Sequence, residues 1–131
     1  MRAQRVFCSN RNRTGGCGRT FSIWWADKVA RLFLTAESLW TFLINSVTTG
    51  NKCQAFRDLN SGLSESAPYR IWKRFLEAQS AIRAALCRLC DPPGLNAKQP
   101  AELTLAHLRT AFGDHACPLV AFQAKLQTFF I

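Results

Sequence analysis

The residues best suited to chemistry are two cysteines near the start of the sequence. Cys8 and Cys17 enclose an Arg- and Gly-rich segment, and its adjacent glycines, Gly15 and Gly16, permit the positive φ angles of a tight knuckle. Cysteine thiolates bind zinc, but a structural zinc site usually has four ligands in tetrahedral geometry. The two cysteines therefore supply half of such a site.

A second cysteine pair with knuckle spacing is Cys87 and Cys90, at the end of a predicted helix. A zinc site made of Cys8, Cys17, Cys87 and Cys90 requires the N-terminal segment to fold onto that helix end. The alternative is that Cys87 and Cys90 pack as small apolar residues, because free cysteine is among the most buried residue types. We favour this alternative for Cys87 and Cys90, and we expect Cys53 and Cys117 to lie in the core. We predict no cofactor; zinc is the metal that the cysteines would fit.

The sequence lacks the residue patterns of a catalytic site. His107 and His115 have no Ser or Cys beside them in a triad-like motif, and the eight acids are few and scattered, so no two-metal or paired-carboxylate site is visible. A thiol enzyme built on Cys87 and Cys90 is disfavoured because the dipole at a helix C-terminus opposes a thiolate. We therefore predict a protein that is not an enzyme.

Positive charge is the strongest signal in the composition. The 131 residues carry 17 Lys and Arg against 8 Asp and Glu, and residues 1–90 hold 14 of the basic side chains but five of the acids. Arg outnumbers Lys by twelve to five, which suits bidentate contacts to phosphate or guanine. The uneven charge favours a polyanion as partner, and Arg11, Arg13 and Arg19 in the N-terminal segment are candidate phosphate ligands.

Length and hydrophobicity predict one folded domain. A chain of 131 residues that is 48% hydrophobic, with ten Phe and four Trp, can bury a core and is not typical of disorder. No apolar run approaches the roughly 18 residues of a membrane helix. The opening residues, Met-Arg-Ala-Gln-Arg, lack the apolar centre of a signal peptide. We expect a cytoplasmic protein, most simply of a prokaryote, with no membrane partner.

The elements that would position these residues are mainly helical. We predict a mainly α fold that contains a helix-turn-helix and one long helix, with a short N-terminal β-ribbon. Residues 1–25 form a basic, Cys- and Gly-rich arm with strands at 6–8 and 19–21. Residues 26–90 form the helical core, and residues 91–131 form a C-terminal helical pair that packs on the core or on a partner.

Helix signals divide the core further. Helices are predicted at 26–34, from a Thr35 cap to Gly50, at 52–60 and at 65–90, with a tight turn at 61–64. The longest helix repeats apolar residues at three- and four-residue spacing, which predicts a buried stripe of Ile71, Phe75, Leu76, Gln79, Ile82, Leu86 and Leu89. Pro100 and Pro118 open the last two helices, and the apolar residues 129–131 are expected to dock into the core or a partner.

A short helix, a Gly-containing turn and a helix rich in Arg is the layout of a helix-turn-helix. The helix from Lys52 would cross the DNA backbone while the start of the long helix enters the major groove. N-terminal residues of such a helix reach base edges, and later ones hold phosphates. The candidates are Glu65, Ser66, Tyr69 and Arg70 for bases, with Lys73 and Arg74 for phosphates.

Three motifs within residues 5–90 carry a resemblance to a known family. They are Cys-Ser-Asn-Arg…Gly-Gly-Cys-Gly-Arg-Thr-Phe-Ser, Leu-Trp-x-Phe-Leu and Gly-Leu-Ser-x-x-x-x-Tyr-Arg-x-Trp-x-Arg-Phe. In these motifs the chain resembles the zinc-ribbon and helix-turn-helix region of bacterial insertion-sequence transposases, and stand-alone transposase-like proteins that lack the catalytic part. The chain departs from the family in two places. The zinc ribbon of the family has a Cys-x-x-Cys pair upstream of the pair that Cys8 and Cys17 resemble, and this sequence has none before Cys8. It also has one residue more between Leu59 and Gly62 than the common spacing, which predicts a looser turn.

The sequence thus predicts a non-catalytic protein that binds nucleic acid, duplex DNA first and RNA second, in a mobile-element or regulatory context. The alternative is an all-helical accessory or scaffolding subunit that docks a basic face on an RNA-protein complex and oligomerises through its apolar C-terminal residues. Aromatic residues between 21 and 43 are numerous for one small core, so an exposed subset, with Trp24 or Trp25 first, can stack on bases or form a subunit interface.

Overall fold

The structure is a computed structural model, and it describes residues 4–9, 15–23, 25–29 and 34–131. Within these ranges the chain forms five α-helices and one two-stranded antiparallel sheet. The elements are β1 Gln4–Phe7, β2 Thr20–Ile23, α1 Ala36–Thr49, α2 Lys52–Arg57, α3 Ala67–Leu86, α4 Pro100–Phe112 and α5 Pro118–Leu126. The predicted mainly α fold with a short N-terminal β-ribbon is confirmed.

The β-ribbon consists of β1 and β2, paired from Gln4 opposite Ile23 to Phe7 opposite Thr20. Backbone bonding continues past the strands, because the N–H of Cys8 donates to the carbonyl of Arg19 over 2.9 Å. Every residue of β2 is exposed. The ribbon is therefore held by backbone pairing rather than by burial of its side chains.

The helix predicted at 26–34 is wrong for the described residues 26–29. Ala26 lies in a turn, and Lys28 pairs with Thr35 in an isolated antiparallel bridge. The carbonyls of Ala26 and Lys28, which a helix would use internally, accept the side-chain amide of Gln123 over 2.6 and 2.9 Å. Hydrogen bonds from Gln123, which is distant in the sequence, thus take the place of the local bonds of a helix.

Helix α1 begins and ends at its predicted caps. The hydroxyl of Thr35 accepts the N–H of Ser38 over 3.1 Å, which satisfies one of the free donors of the first turn. Gly50 adopts a left-handed φ of 70° and its N–H donates to the carbonyl of Ser46. Both caps are local, so they could be read from the sequence.

The connection between α2 and α3 is longer than predicted. Helix α2 ends at Arg57, and two residues then take left-handed conformations, Asn60 with φ 50° and Gly62 with φ 69°. The connection covers residues 58–66, whereas a helix-turn-helix joins its helices through roughly three or four residues. The predicted tight turn at 61–64 is therefore wrong, although Gly62 takes the left-handed conformation expected of it.

Helix α3 is shorter at both ends than the predicted 65–90. It begins at Ala67 with Ser66 at the N-cap position, so Ser66 precedes the helix. Beyond Leu86 the backbone tightens, since the N–H of Leu89 donates to the carbonyl of Leu86 three residues back. Residues 87–89 thus form a turn rather than the end of the predicted helix.

The buried face of α3 forms one wall of the core. Ile71, Phe75, Gln79, Ile82 and Leu86 are buried as predicted. Leu76 and Leu89 are not part of this face, because 48% and 40% of their surfaces are exposed. The sequence pattern overstated the width of the stripe, since Leu76 follows Phe75 directly and so points away from it on a helix.

The last residues of the chain dock into the core. Phe130 is buried, stacks on Phe75 at a ring distance of 5.9 Å and meets Phe122 edge-on at 5.4 Å. Its N–H donates to the side-chain oxygen of Gln123 over 3.1 Å. Of the two sites predicted for the apolar residues 129–131, Phe130 thus occupies the core.

Candidate nucleic-acid interface

Four of the eight predicted nucleic-acid-contacting residues lie in α3. Tyr69, Arg70 and Lys73 are exposed and Arg74 is half-buried. On a helix, Arg70 neighbours both Lys73 and Arg74, because residues three and four apart lie on one face. Glu77 forms an ion pair with Lys73 at 3.8 Å, and both side chains are largely exposed, so the pair holds Lys73 weakly.

The residues before α3 orient one arginine of this face. The guanidinium of Arg70 donates to the hydroxyl of Ser64 over 3.4 Å, and this hydroxyl lies 3.1 Å from that of Ser66. Ser66 makes no side-chain cap to α3, so its hydroxyl remains at the edge of the basic face. Arg70 has five N–H donors, which leaves most of them available for an anion.

Tyr69 is tied to α2 by a contact that sequence reasoning missed. The sulfur of Cys53 and the phenol oxygen of Tyr69 are hydrogen-bonded over 3.1 Å. Hydrogen bonding with Cys53, and then the negative charge of its thiolate, favours the protonated phenol and raises the pKa of Tyr69. Cys53 is half-buried rather than part of the core, so its predicted burial is wrong. The contact fixes an exposed ring next to Arg70, and no spacing in the sequence indicates it.

Lys52 is a further basic residue beside α3 that the sequence did not single out. Its ammonium lies 5.0 Å from the ring centre of Trp72, close enough for a cation–π interaction. Trp72 is held in turn by edge-on contacts with Phe42 and Phe75. The first residue of α2 therefore places another positive charge near the α3 face.

The ribbon arginines are only partly described. Arg19 is exposed next to β2, whereas Arg11 and Arg13 lie outside the described residues. Trp24, a predicted exposed aromatic, also lies outside them, while Trp25 is 65% exposed. The predicted cluster of Arg11, Arg13 and Arg19 therefore stays a prediction.

Cys8 and Cys17 lie close together, and the N–H of Gly18 donates to the carbonyl of Cys8 over 2.8 Å. The N–H of Cys17 donates to the sulfur of Cys8 over 3.3 Å. A side chain at Gly16 would collide with the carbonyl of Ser9, so glycine is required for this close approach. Hydrogen bonding by the N–H of Arg19, and then by Cys8, lowers the pKa of the Cys17 thiol.

The four predicted zinc ligands are not brought together. Among the residues that the structure describes, no three Cys, His, Asp or Glu side chains form a group that could hold a metal ion. Cys87 is exposed and Cys90 half-buried, so the burial predicted for Cys87 is also wrong, while Cys117 is buried as expected. Cys8 and Cys17 therefore remain a two-ligand pair in the described chain.

The histidines have different surroundings. His107 is buried with one ring nitrogen 3.0 Å from the carbonyl of Cys90, which ties α4 to the turn after α3. His115 is exposed in the connection between α4 and α5, and its ring meets Phe112 edge-on. The hydrogen bond to Cys90 gives the buried imidazole of His107 a polar partner, so its burial has a structural explanation.

Comparison with protein-family models, curated proteins and solved structures finds no match to this chain. The proposed function therefore rests on the charges and contacts of this chain itself. Across the described residues, none of the helices has both the length and the apolar composition to span a bilayer.

Proposed function

We propose that the protein binds nucleic acid without catalysis and holds duplex DNA against the exposed face of α3. The observation that supports this most is the grouping of Arg70, Lys73 and Arg74 within one helical turn, beside the exposed Tyr69. The major groove of B-DNA is about 12 Å wide and admits a single α-helix. The opening turns of α3 would lie in that groove.

The side chains of this face have distinct proposed roles. Arg70 and Tyr69 stand in the first turn of α3, the part of a recognition helix that reaches base edges. Lys73 and Arg74 stand one turn later and would hold phosphates. Ser66, at the start of the helix, would add a hydroxyl contact to a phosphate or base.

Helix α2 would support α3 on the DNA backbone. Lys52 and the exposed Arg57 give α2 two cations. The bond between Cys53 and Tyr69 and the contact between Lys52 and Trp72 fix α2 against α3 without a tight turn between them. The arginines of the ribbon arm, Arg19 and the neighbouring basic residues, would supply further phosphate contacts.

Zinc is not part of the proposal. A structural zinc site usually needs four ligands, and the described residues bring no third Cys, His, Asp or Glu to Cys8 and Cys17. The DNA contacts proposed for α3 come from Arg, Lys, Tyr and Ser side chains alone. Adding a chelator is therefore expected to leave duplex binding unchanged.

Two variants of equal charge test the proposal. Arg70→Ala/Arg74→Ala removes two cations from the proposed face, and Arg83→Ala/Arg88→Ala removes two exposed cations from the other end of the α3 region. Anisotropy of a labelled duplex should show at least about a tenfold weaker Kd for the first pair, since each arginine contact to a base or phosphate carries roughly 1–3 kcal/mol. The control pair should change Kd by less than about threefold.

Salt gives the second readout. Raising salt from about 50 to about 200 mM should weaken the natural chain by orders of magnitude if six or more phosphates are contacted. The Arg70→Ala/Arg74→Ala variant should show a shallower dependence. Equal losses for the two charge-matched variants would contradict the α3 face, and failure to bind any duplex would favour the accessory-subunit alternative.

A further inference from the structure

A second surface lies away from the α3 face, between the β-ribbon and the end of α5. We call it the aromatic groove, and its walls include Phe21, Ile23 and Trp25 on one side and Gln127, Thr128 and Phe129 on the other. Its volume is about 720 Å³. This is within the roughly 300–1,000 Å³ range of sites that hold small organic ligands.

The walls of the aromatic groove expose large apolar side chains that the core does not use. The exposed fractions are 65% for Trp25, 49% for Phe21, 47% for Ile23 and 42% for Phe129. A single exposed apolar residue is ordinary, but a contiguous set on one concave surface marks a binding site. Here the four side chains line the same groove.

Hydrogen bonds of one buried side chain position the backbone beside the groove. Gln123 is 6% exposed, and its side chain bonds the carbonyls of Ala26 and Lys28 and the N–H of Phe130. One side chain therefore fixes the segment that carries Trp25 and also the segment that carries Phe129. The backbone next to Trp25 and next to Phe129 is therefore held in place before any ligand arrives, which lowers the cost of binding.

A strained residue shapes the second wall. Gln127 ends α5 with φ 52° and ψ 38°, a left-handed conformation that glycine usually takes. This turn sends Phe130 into the core and leaves Thr128 and Phe129 at the rim. Such strain is found preferentially at binding and catalytic sites, where the surrounding structure maintains it.

The charge around the groove indicates the occupant. Two groove-lining residues have a basic residue beside them: Ser22 pairs with Arg5 across the ribbon, and Ala124 precedes Lys125 in α5. The nearby carboxylate of Asp27 is paired with Lys28 at 3.0 Å. An apolar partner helix would gain nothing from such a basic surround, whereas a ligand with flat apolar faces and negative charge fits both features. Unpaired nucleobases on a phosphate backbone have this chemistry.

We propose that the aromatic groove binds single-stranded DNA by stacking unpaired bases on Trp25 and Phe21, with Arg5, opposite Ser22 of the groove wall, as a phosphate contact. The bases of a duplex already stack on one another, so a duplex cannot fill the groove in this way. We specify DNA rather than RNA because this inference rests on the proposed function, in which α3 holds duplex DNA. The protein would then bind a junction between paired and unpaired strands.

The two surfaces can be tested separately. Phe130 packs against the buried face of α3 through Phe75, so the groove beside it and the exposed face of α3 are on different sides of that helix. Substitutions at Trp25 and at Arg70 therefore change one surface without touching the other.

The experiment measures anisotropy of a labelled oligo-dT of about 15 nucleotides, a length that one binding domain can cover. Trp25→Ala and Phe21→Ala should each weaken oligo-dT binding by about tenfold, the usual size of one lost base stack. Leu95→Ala, which removes an apolar side chain that is 48% exposed and outside the groove, should leave it unchanged. Duplex binding should be the same in all three variants.

The outcomes separate the groove from the α3 proposal. Loss of duplex binding in Arg70→Ala/Arg74→Ala tests α3 alone, and loss of oligo-dT binding in Trp25→Ala tests the groove alone. Unchanged oligo-dT binding in Trp25→Ala and Phe21→Ala overturns the groove proposal. So does tighter binding to the equivalent oligo-U, which would make RNA the ligand, or a dimer in sedimentation that Trp25→Ala dissociates without affecting oligo-dT.

Discussion

In the helical body, α1–α5, most large apolar side chains pack on one another, whereas in the β-ribbon Phe7, Phe21 and Ile23 face solvent. Phe42, Phe75 and Phe122 are fully or almost fully buried in the body, while Phe7 and Phe21 of the ribbon are about half exposed. The body is therefore specified by burial, and the ribbon by backbone pairing and glycine geometry. Side chains that do not stabilise the fold are free to be chosen for binding, and the eight residues of β1 and β2 carry three of the nine large apolar side chains exposed in the described chain.

The largest expected difference between the two regions is in stability. Phe75→Ala opens a cavity beside Phe130 and Trp72 and should cost about 3–5 kcal/mol of the free energy of unfolding. Phe21→Ala, in the ribbon, should cost less than about 0.5 kcal/mol because surface substitutions seldom exceed this. Urea denaturation followed by circular dichroism measures both. A similar loss in the two variants would show that the ribbon is part of the core.

A smaller effect is expected where the two regions join. Gln123→Ala leaves the carbonyls of Ala26 and Lys28 and the N–H of Phe130 without their partner, and should cost about 2–3 kcal/mol. Gln54→Ala removes an exposed amide that bonds Asp58 and serves as the control, with a loss below about 0.5 kcal/mol. Amide exchange of Phe130 should also become faster in Gln123→Ala. Unchanged exchange would mean that the join does not depend on this glutamine.

The smallest effect concerns a single proton in the helical body. The chain has one tyrosine, so ultraviolet absorbance reports the ionisation of Tyr69 alone. Cys53 raises the pKa of that phenol, and Cys53→Ala should therefore move the midpoint of the titration to lower pH, toward the ordinary value for tyrosine. Ser80→Ala, an exposed change elsewhere on α3, should leave the midpoint in place. A midpoint that stays fixed in Cys53→Ala would show that α2 does not hold the ring.

The sequence predicted the helical body well because its signals are local. The Thr35 cap, Gly50 and the prolines at 100 and 118 bound α1, α4 and α5 where the structure has them. Each signal acts on backbone groups within one turn, so no knowledge of the fold is needed. The exposed basic face of α3 was likewise visible, since charged residues fell off the apolar stripe.

The failures come from contacts between distant residues. The helix predicted at 26–34 gives way to a turn and bridge at 26–29 because Gln123, 97 positions after Ala26, bonds its carbonyl. The bond between Cys53 and Tyr69 has no periodic signature, and the aromatic groove requires the ribbon and α5 to meet. The sequence predicts that Trp24 or Trp25 is exposed, but no local pattern indicates that residues 127–129 lie opposite Trp25.

The reach of Gln123 has a consequence for how the chain folds during synthesis. The carbonyls of Ala26 and Lys28 leave the ribosome long before the amide that binds them, and contacts of such high sequence separation form slowly. The ribbon residues are synthesised first, but the segment that follows β2 cannot gain its bonds to Gln123 until α5 has been made. Strand docking on the body is therefore a late event, and a chain stalled before residue 123 would carry an unanchored ribbon.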